Sequence, residues 1–273
     1  MSLSATTNTT ANTALRYLSQ NSAASANSLA KLASGSRIVK ASDDAASLAV
    51  GTKLRADVTA LKQAQVNTGQ ASSLLQVADG GLAQTTEILM RMKALAAQSM
   101  SGQVSDDERA FINAEFAQLV DQIDDIGTQT TFNGTKLLDG GYDEDFVVGV
   151  SKDDKISVKL DGDGFNLATL KGTLGTVATA AGAGTAMDAI DTAISDVNEA
   201  RANLGAFISR FEYAGANIAT SVENLDAARS VLLDVDMAAE MSNFSSKQVM
   251  LQASVAMLAQ ANQQPQQLLR LLN

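Results

Sequence analysis

The chain is 273 residues long, carries a net charge of −10 and contains neither cysteine nor histidine. That excludes disulfides, thiolate nucleophiles and Cys- or His-ligated zinc, and it removes the commonest general base, leaving only carboxylate or lysine chemistry open to an enzyme. The acidic balance disfavours both nucleic-acid backbones and anionic membrane surfaces. Hydrophobic residues make up 45% of the chain but aromatics only 4%, so small side chains suited to helix seams outnumber those that fill thick cores. No apolar run reaches the roughly 18 residues of a membrane span. The N-terminal Met1–Thr10 stretch has neither a basic nor an apolar region and does not read as a cleavable secretory signal. On these grounds alone the chain is expected in the cytosol unless a specialised exporter removes it.

In chain order, residues 1–12 are polar, and a first helix is expected over Thr13–Leu32, with Leu15, Leu18, Ser22, Ser25, Leu29 and Leu32 at alternating three- and four-residue steps. Ser34-Gly35-Ser36 breaks it, and Arg37-Ile38-Val39-Lys40 is a short basic connector. Ser42-Asp43-Asp44 opens a helix that continues to about Met100, on the order of 85 Å if uninterrupted, with a bend expected near Gly80-Gly81. Ser105-Asp106-Asp107-Glu108 is a capping-box signature. The helix it starts carries Ile112, Phe116, Leu119, Ile123 and Ile126, with Gly127 as its expected stop.

The period then changes. Phe132-Asn133-Gly134 and Asp139-Gly140-Gly141 are turn signals, and strands are expected at 146–150 and 156–160. Residues 171–185, rich in Gly, Ala and Thr, are expected to form a mobile or surface segment. Helix returns near Ala186 and runs to Val235, with Asp234-Val235-Asp236 as a break. A last helix, from Met237 to about Ala261, carries a narrow stripe of Met241, Phe244, Gln248, Leu251, Val255 and Leu258. Pro265 is the only proline, and Leu268, Leu269, Leu271 and Leu272 form an apolar tip. One narrow stripe buries too little surface to order a helix alone in water, so the first and last helices are expected to pair with each other and then with other copies. The predicted fold is mainly α: an elongated hairpin-like rod, terminal helices paired as a coiled coil, with a small β-rich insertion. Its parts are 1–41 with 236–273, 42–140 with 186–235, and the insertion 141–185.

No cofactor or metal is expected. Asp161-Gly162-Asp163-Gly164 lacks the Gly and Glu that a calcium loop needs at its sixth and twelfth positions, where Asn166 and Gly172 stand. Gly182-Ala183-Gly184 has no preceding strand to make a dinucleotide fingerprint. Asp106, Asp107 and Glu108 read as a solvated helix start.

In order and at matching separations, Leu32-Ala33-Ser34-Gly35-Ser36-Arg37-Ile38, Ala41-Ser42-Asp43-Asp44-Ala45-Ala46, Thr131-Phe132-Asn133-Gly134, Leu204-Gly205-Ala206, Asn224-Leu225, Arg229, Asp234-Val235-Asp236-Met237-Ala238-Ala239-Glu240 and Leu258-Ala259-Gln260-Ala261-Asn262 gather into one pattern. The chain resembles bacterial flagellin over both arms, and its short insertion looks like the compact flagellins of α-proteobacteria. The resemblance implies a non-enzymatic subunit exported without a cleaved signal and polymerised into the motility filament. A hook-filament junction protein is the alternative. Implied partners are many copies of itself, an export chaperone, the filament cap and hook-associated proteins. Inner-core packing is expected from Leu15, Leu18, Leu29, Leu32, Met241, Phe244, Leu251, Val255, Leu258, Leu268 and Leu269. Connector and rod contacts are expected from Arg37, Asp43, Asp44, Phe132, Asn133, Arg229, Asp234 and Asp236. Arg91 and Leu95 match the surface of flagellins sensed by a cell-surface Toll-like receptor, but Met90 and Ala94 stand where polar and acidic groups belong, which implies weak activation.

Overall fold

The structure, a computed structural model, describes residues 8–160 and 167–271, with the side chains of all of these except 168, 169 and 264–271. The predicted turn at Asp161-Gly162-Asp163-Gly164 and the polar stretch up to Thr7 lie outside the described residues. Six helices and four short strands follow in order: α1 (Thr9–Ser34), α2 (Ala45–Met100), α3 (Asp106–Gln129), β1 (Thr131–Phe132), β2 (Thr135–Lys136), β3 (Asp143–Val147), β4 (Lys155–Lys159), α4 (Leu167–Thr173), α5 (Ala180–Leu233) and α6 (Met237–Leu271). The fold is mainly α, with two antiparallel strand pairs as its β part. It divides into two compact units, one made of Met1–Ala56 with Asn224–Asn273, the other of Asp57–Glu223.

The unit 57–223 owes its core to seven-residue repeats. On α2, Leu75, Leu82, Leu89 and Ala96 form one buried file, and Ala71, Ala78, Thr85, Met92 and Ser99 form the adjacent one. On α5, Ala183, Ile190, Val197, Leu204, Phe211 and Ile218 recur at the same interval. A repeat of seven keeps one seam turned inward along the whole length of a helix. Arg201 reaches Asp79 at 2.8 Å, and Lys93 pairs with Asp191, so α2 and α5 run antiparallel here. Phe116 and Ile123 of α3 close the third side, each about 1% exposed.

The α3 start carries both halves of its capping box. Ser105 Oγ accepts the Glu108 amide at 3.3 Å, and Glu108 Oε2 accepts the Ser105 amide at 2.8 Å. Gly127 is not a stop. It lies buried within the helix, where a Cβ would come 3.0 Å from Leu167 Cβ, so the glycine admits the next element rather than ending this one. As expected, α2 runs as one helix through Gly80-Gly81. A Cβ on Gly81 would lie 2.9 Å from Leu138 Cδ1 and Thr130 Oγ1, so that glycine lets the following turn rest against the helix. The turn itself is the expected Asn-Gly one: Asn133 at φ 50° and Gly134 at φ 82° join β1 to β2 in the mirror-image geometry that suits a two-residue hairpin.

Three expected boundaries shift. The first strand of the insertion is Asp143–Val147 rather than 146–150. Cross-strand pairing explains it: Asp143 pairs with Lys159 at 2.7 Å, and Asp145 takes both Lys155 and Ser157, so opposite charges draw an acidic run of low strand propensity into the ladder. Residues 171–185 lie mostly at the surface, as one of the two expectations had it, but they are ordered as the end of α4, a connection and the start of α5 rather than loose. Leu170, Leu174 and Val177 are buried, Asn113 Oδ1 accepts from the Thr176 hydroxyl at 2.6 Å and the Val177 amide at 3.1 Å, and Lys171 bridges Asp121 and Asp124. Finally, α6 continues through Pro265 to Leu271 instead of ending near Ala261.

Truncating Phe116 to Ala is expected to destabilise the unit 57–223 by about 3–5 kcal/mol, the cost of an aromatic-sized cavity, measured as a drop in the denaturation midpoint of the full chain. The Ser105 amide and hydroxyl hold the Glu108 carboxyl below its ordinary value of 4.5. Its contribution is therefore present above that value and lost as pH falls through the lower folded one. Glu108→Gln should flatten the acid side of the stability–pH curve, and an unaltered acid limb would remove the capping carboxylate from the account.

Candidate assembly surface

The unit containing both termini is built on the pairing of α1 with α6. The residues of α6 that turn inward are Glu240, Phe244, Lys247, Leu251, Ser254, Leu258 and Ala261, alternating four and three apart, while the intervening residues from Met241 to Gln260 are exposed. On α1 the matching file is Ala11, Ala14, Leu18, Asn21, Ser25, Ser28 and Leu32. This is a heptad seam, though a thin one, with polar or charged groups at six of its fourteen positions. Asn21 Nδ2 donates to the Ser254 hydroxyl across it at 3.1 Å, the kind of buried polar pair that fixes register at some cost in stability.

The observed seam shares Phe244, Leu251 and Leu258 with the stripe expected on α6 and Leu18, Ser25 and Leu32 with the one expected on α1. It is rotated by one residue at every second position. Glu240, Lys247 and Ser254 face α1 where Met241, Gln248 and Val255 were expected. Met241 and Val255 are instead exposed, as are Leu15 and Leu29 on α1. Val249 at 65% and Met257 at 64% exposure are also in solvent, so among the described residues apolar side chains on both flanks of the α6 seam are left uncovered. The side chains of Leu268 and Leu269 lie outside the described residues.

Below the seam the two connectors lock together. Gly35 ends α1 in the left-handed conformation, at φ 68°. Its carbonyl accepts the Val235 amide at 3.1 Å, and Ser36 bridges to Asp234. A helix leaves its last carbonyls without intrahelical donors, and here the α1–α2 connector supplies them to α5. The Arg37 amide donates to Leu233 O at 2.6 Å, the Ser36 hydroxyl lies 3.1 Å from the same oxygen, and the Arg37 guanidinium reaches Leu232 O at 3.0 Å. Asp43 Oδ2 accepts the Lys40 and Val39 amides, bonds that hold its carboxyl below the usual range, with Lys40 the larger cause. Asp44 caps Ser47, whose side chain and then amide lower it likewise. Asp236 caps α6 through the Ala238 and Ala239 amides at 2.9 and 3.1 Å. Arg229 stands 3.4 Å from Asp226.

Other expected residues fall in the unit 57–223. Phe132 packs half-buried on its core beside the Asn133 turn. Arg91 is engaged by Glu115 at 2.6 Å on the surface, and Leu95 is buried. Sequence reasoning missed Ser36, Leu233 and Gly51. A Cβ on Gly51 would meet three side-chain atoms of Leu233 at 2.7 Å, so this glycine is what lets α2 approach the end of α5. A glycine inside a strong helical pattern is the one signal that could have marked it. Among the described residues no helix is long and apolar enough to cross a membrane.

Gly51→Ala is expected to cost about 1–3 kcal/mol through overpacking, and the penalty should shrink in a Leu233→Ala background. An equal penalty in both backgrounds, read from denaturation midpoints, would place the strain elsewhere.

Residues 6–143 match the bacterial flagellin N-terminal helical region, and residues 187–272 match the bacterial flagellin C-terminal helical region. The chain is 39% identical to the flagellin of Bacillus subtilis over 94% of its own length and 96% of that protein's. It is also 39% identical to the flagellar filament 30.7 kDa core protein of Treponema maltophilum, over 89% of this chain and 90% of that one. The crystal structure of Bacillus cereus flagellin superposes with a TM-score of 0.52 at 31% identity, covering 60% of this chain and 94% of that one. A hook-associated protein structure from Vibrio parahaemolyticus shares the fold, with a TM-score of 0.58, at 19% identity, covering 70% of this chain and 99% of that one. With both helical regions matched in order on either side of the insertion, the chain belongs to the bacterial flagellin family, the structural subunits of the flagellar filament.

Proposed function

We propose that this chain is exported and polymerises into a helical flagellar filament, with the paired α1 and α6 forming its inner core. The observation that carries the reading is the apolar surface that the terminal pair leaves uncovered. The intrachain seam covers one file of α6 and leaves Met241, Val249, Val255 and Met257 around it in solvent, and Leu15 and Leu29 of α1 are exposed as well. Apolar side chains repeated along both helices of a pair are what a further ring of like helices would bury. In this reading residues 1–41 and 236–273 line the core, residues 42–140 and 186–235 form the surrounding wall, and the insertion 141–185 faces solvent. The net charge of −10 keeps unassembled chains apart. An export chaperone that shields the C-terminal helix, a cap that guides assembly and hook-associated proteins at the filament base are the partners that family membership supports. Arg91 already engages Glu115, and Met90 is the exposed neighbour, which supports weak activation of the Toll-like receptor; a full reporter response at low dose would count against it.

Val255→Asp and Met241→Asp each place a charge on the uncovered face without touching the intrachain seam. Each is expected to abolish sedimentable filaments in concentrated protein, with the unfolding of the unit 57–223 unchanged. Filaments of normal length by electron microscopy would sink the assignment of this face.

A further inference from the structure

Proline inside a helix has two effects, both at the carbonyl four residues earlier: it brings no N–H to that oxygen, and its ring crowds it. In α6 that carbonyl belongs to Ala261, yet the helix runs on to Leu271. A substitute donor is present. Asn8 Nδ2 donates to Ala261 O at 2.8 Å, across 253 residues of sequence. The same side chain caps α1: Asn8 Oδ1 accepts the Ala11 amide at 3.0 Å and the Thr10 hydroxyl at 2.7 Å. The partners fix the amide's orientation, since a flip would set the NH2 against a donor amide and the oxygen against a carbonyl. Ala261 is itself buried at the end of the seam, opposite Ala11, so an unmatched carbonyl there would be only partly reachable by water.

We propose that Asn8 is a positioning residue that couples the start of α1 to the continuation of α6 beyond Pro265, standing in for the amide that proline lacks. The last turns of α6 are then helical only while α1 is seated, and the two extremities of the chain order together. Asparagine suits the role because it offers an acceptor to one helix and a donor to the other. Aspartate or serine caps a helix comparably well, but aspartate has no donor and serine is too short to reach across. The inference rests on geometry within one chain and stands apart from the filament reading.

The test is hydrogen exchange by mass spectrometry on the full chain, dilute and at high concentration, following the peptide 258–271. Asn8→Asp and Asn8→Ser are expected to speed exchange there by roughly five- to tenfold, about the factor carried by one hydrogen bond. Pro265→Ala restores the missing amide, so in that background the same substitutions at Asn8 should change exchange less than twofold. Equal effects in both backgrounds would overturn the coupling and leave Asn8 as a cap alone. No effect in either background, or full exchange of 258–271 in the parent chain at every concentration, would overturn it as well. A parent chain that forms no filaments at high concentration, with the exchange pattern intact, would instead weigh against the polymer reading and leave this one standing.

Discussion

A pair of helices can bury one file of side chains from each partner, and α6 carries more apolar residues than one file holds. Everything in the terminal unit follows from which of them are buried. The seam with α1 takes a glutamate, a lysine and a serine interleaved among Phe244, Leu251 and Leu258. Methionines and valines on its flanks are left outside. Were they buried within the chain in place of the polar groups, the pair would be more stable alone and would have less with which to bind its neighbours. A weak inner seam and a strong unoccupied face are thus one design, in which cohesion is deferred from the single molecule to the polymer.

The unit 57–223 follows the opposite rule. Its heptads turn a continuous apolar file inward, the start of α3 is capped and its insertion is tied down by Phe146, edge-on to Phe211 at 5.6 Å. The two units meet different demands with the same seven-residue spacing, and the difference lies in polarity: the buried files of α2, α3 and α5 are almost wholly apolar, whereas Glu, Lys, Ser and Asn recur along the seam of α1 and α6.

That contrast explains what could be read from the chain alone. Helix type, helix order, the pairing of the ends and the Asn133-Gly134 turn were legible, because periodicity and turn chemistry are local. The face chosen by α6 was not. Met241 and Val255 are the more hydrophobic residues, and a reading by hydrophobicity prefers them over Glu240 and Ser254, but the chain pairs the polar file. The strand Asp143–Val147 was missed because its stability comes from Lys155 and Lys159 on the other strand rather than from its own residues. The continuation of α6 past Pro265 was missed for the same reason, its support lying at the far end of the sequence. Membership of the family was legible from the arms, whose motifs sit at the connectors where Ser36, Arg37 and Asp234 meet.

The seam also sets a schedule. Its partners lie near opposite ends of the chain, so closing it brings together groups some 253 residues apart, whereas the helices of the unit 57–223 find their mates at shorter range. Loop-closure entropy makes the long connection the last to form. A polypeptide threaded through a narrow channel, whichever end leads, cannot join those partners until its full length has emerged. The sticky architecture would then exist only at the destination, with completion of transit serving as the trigger.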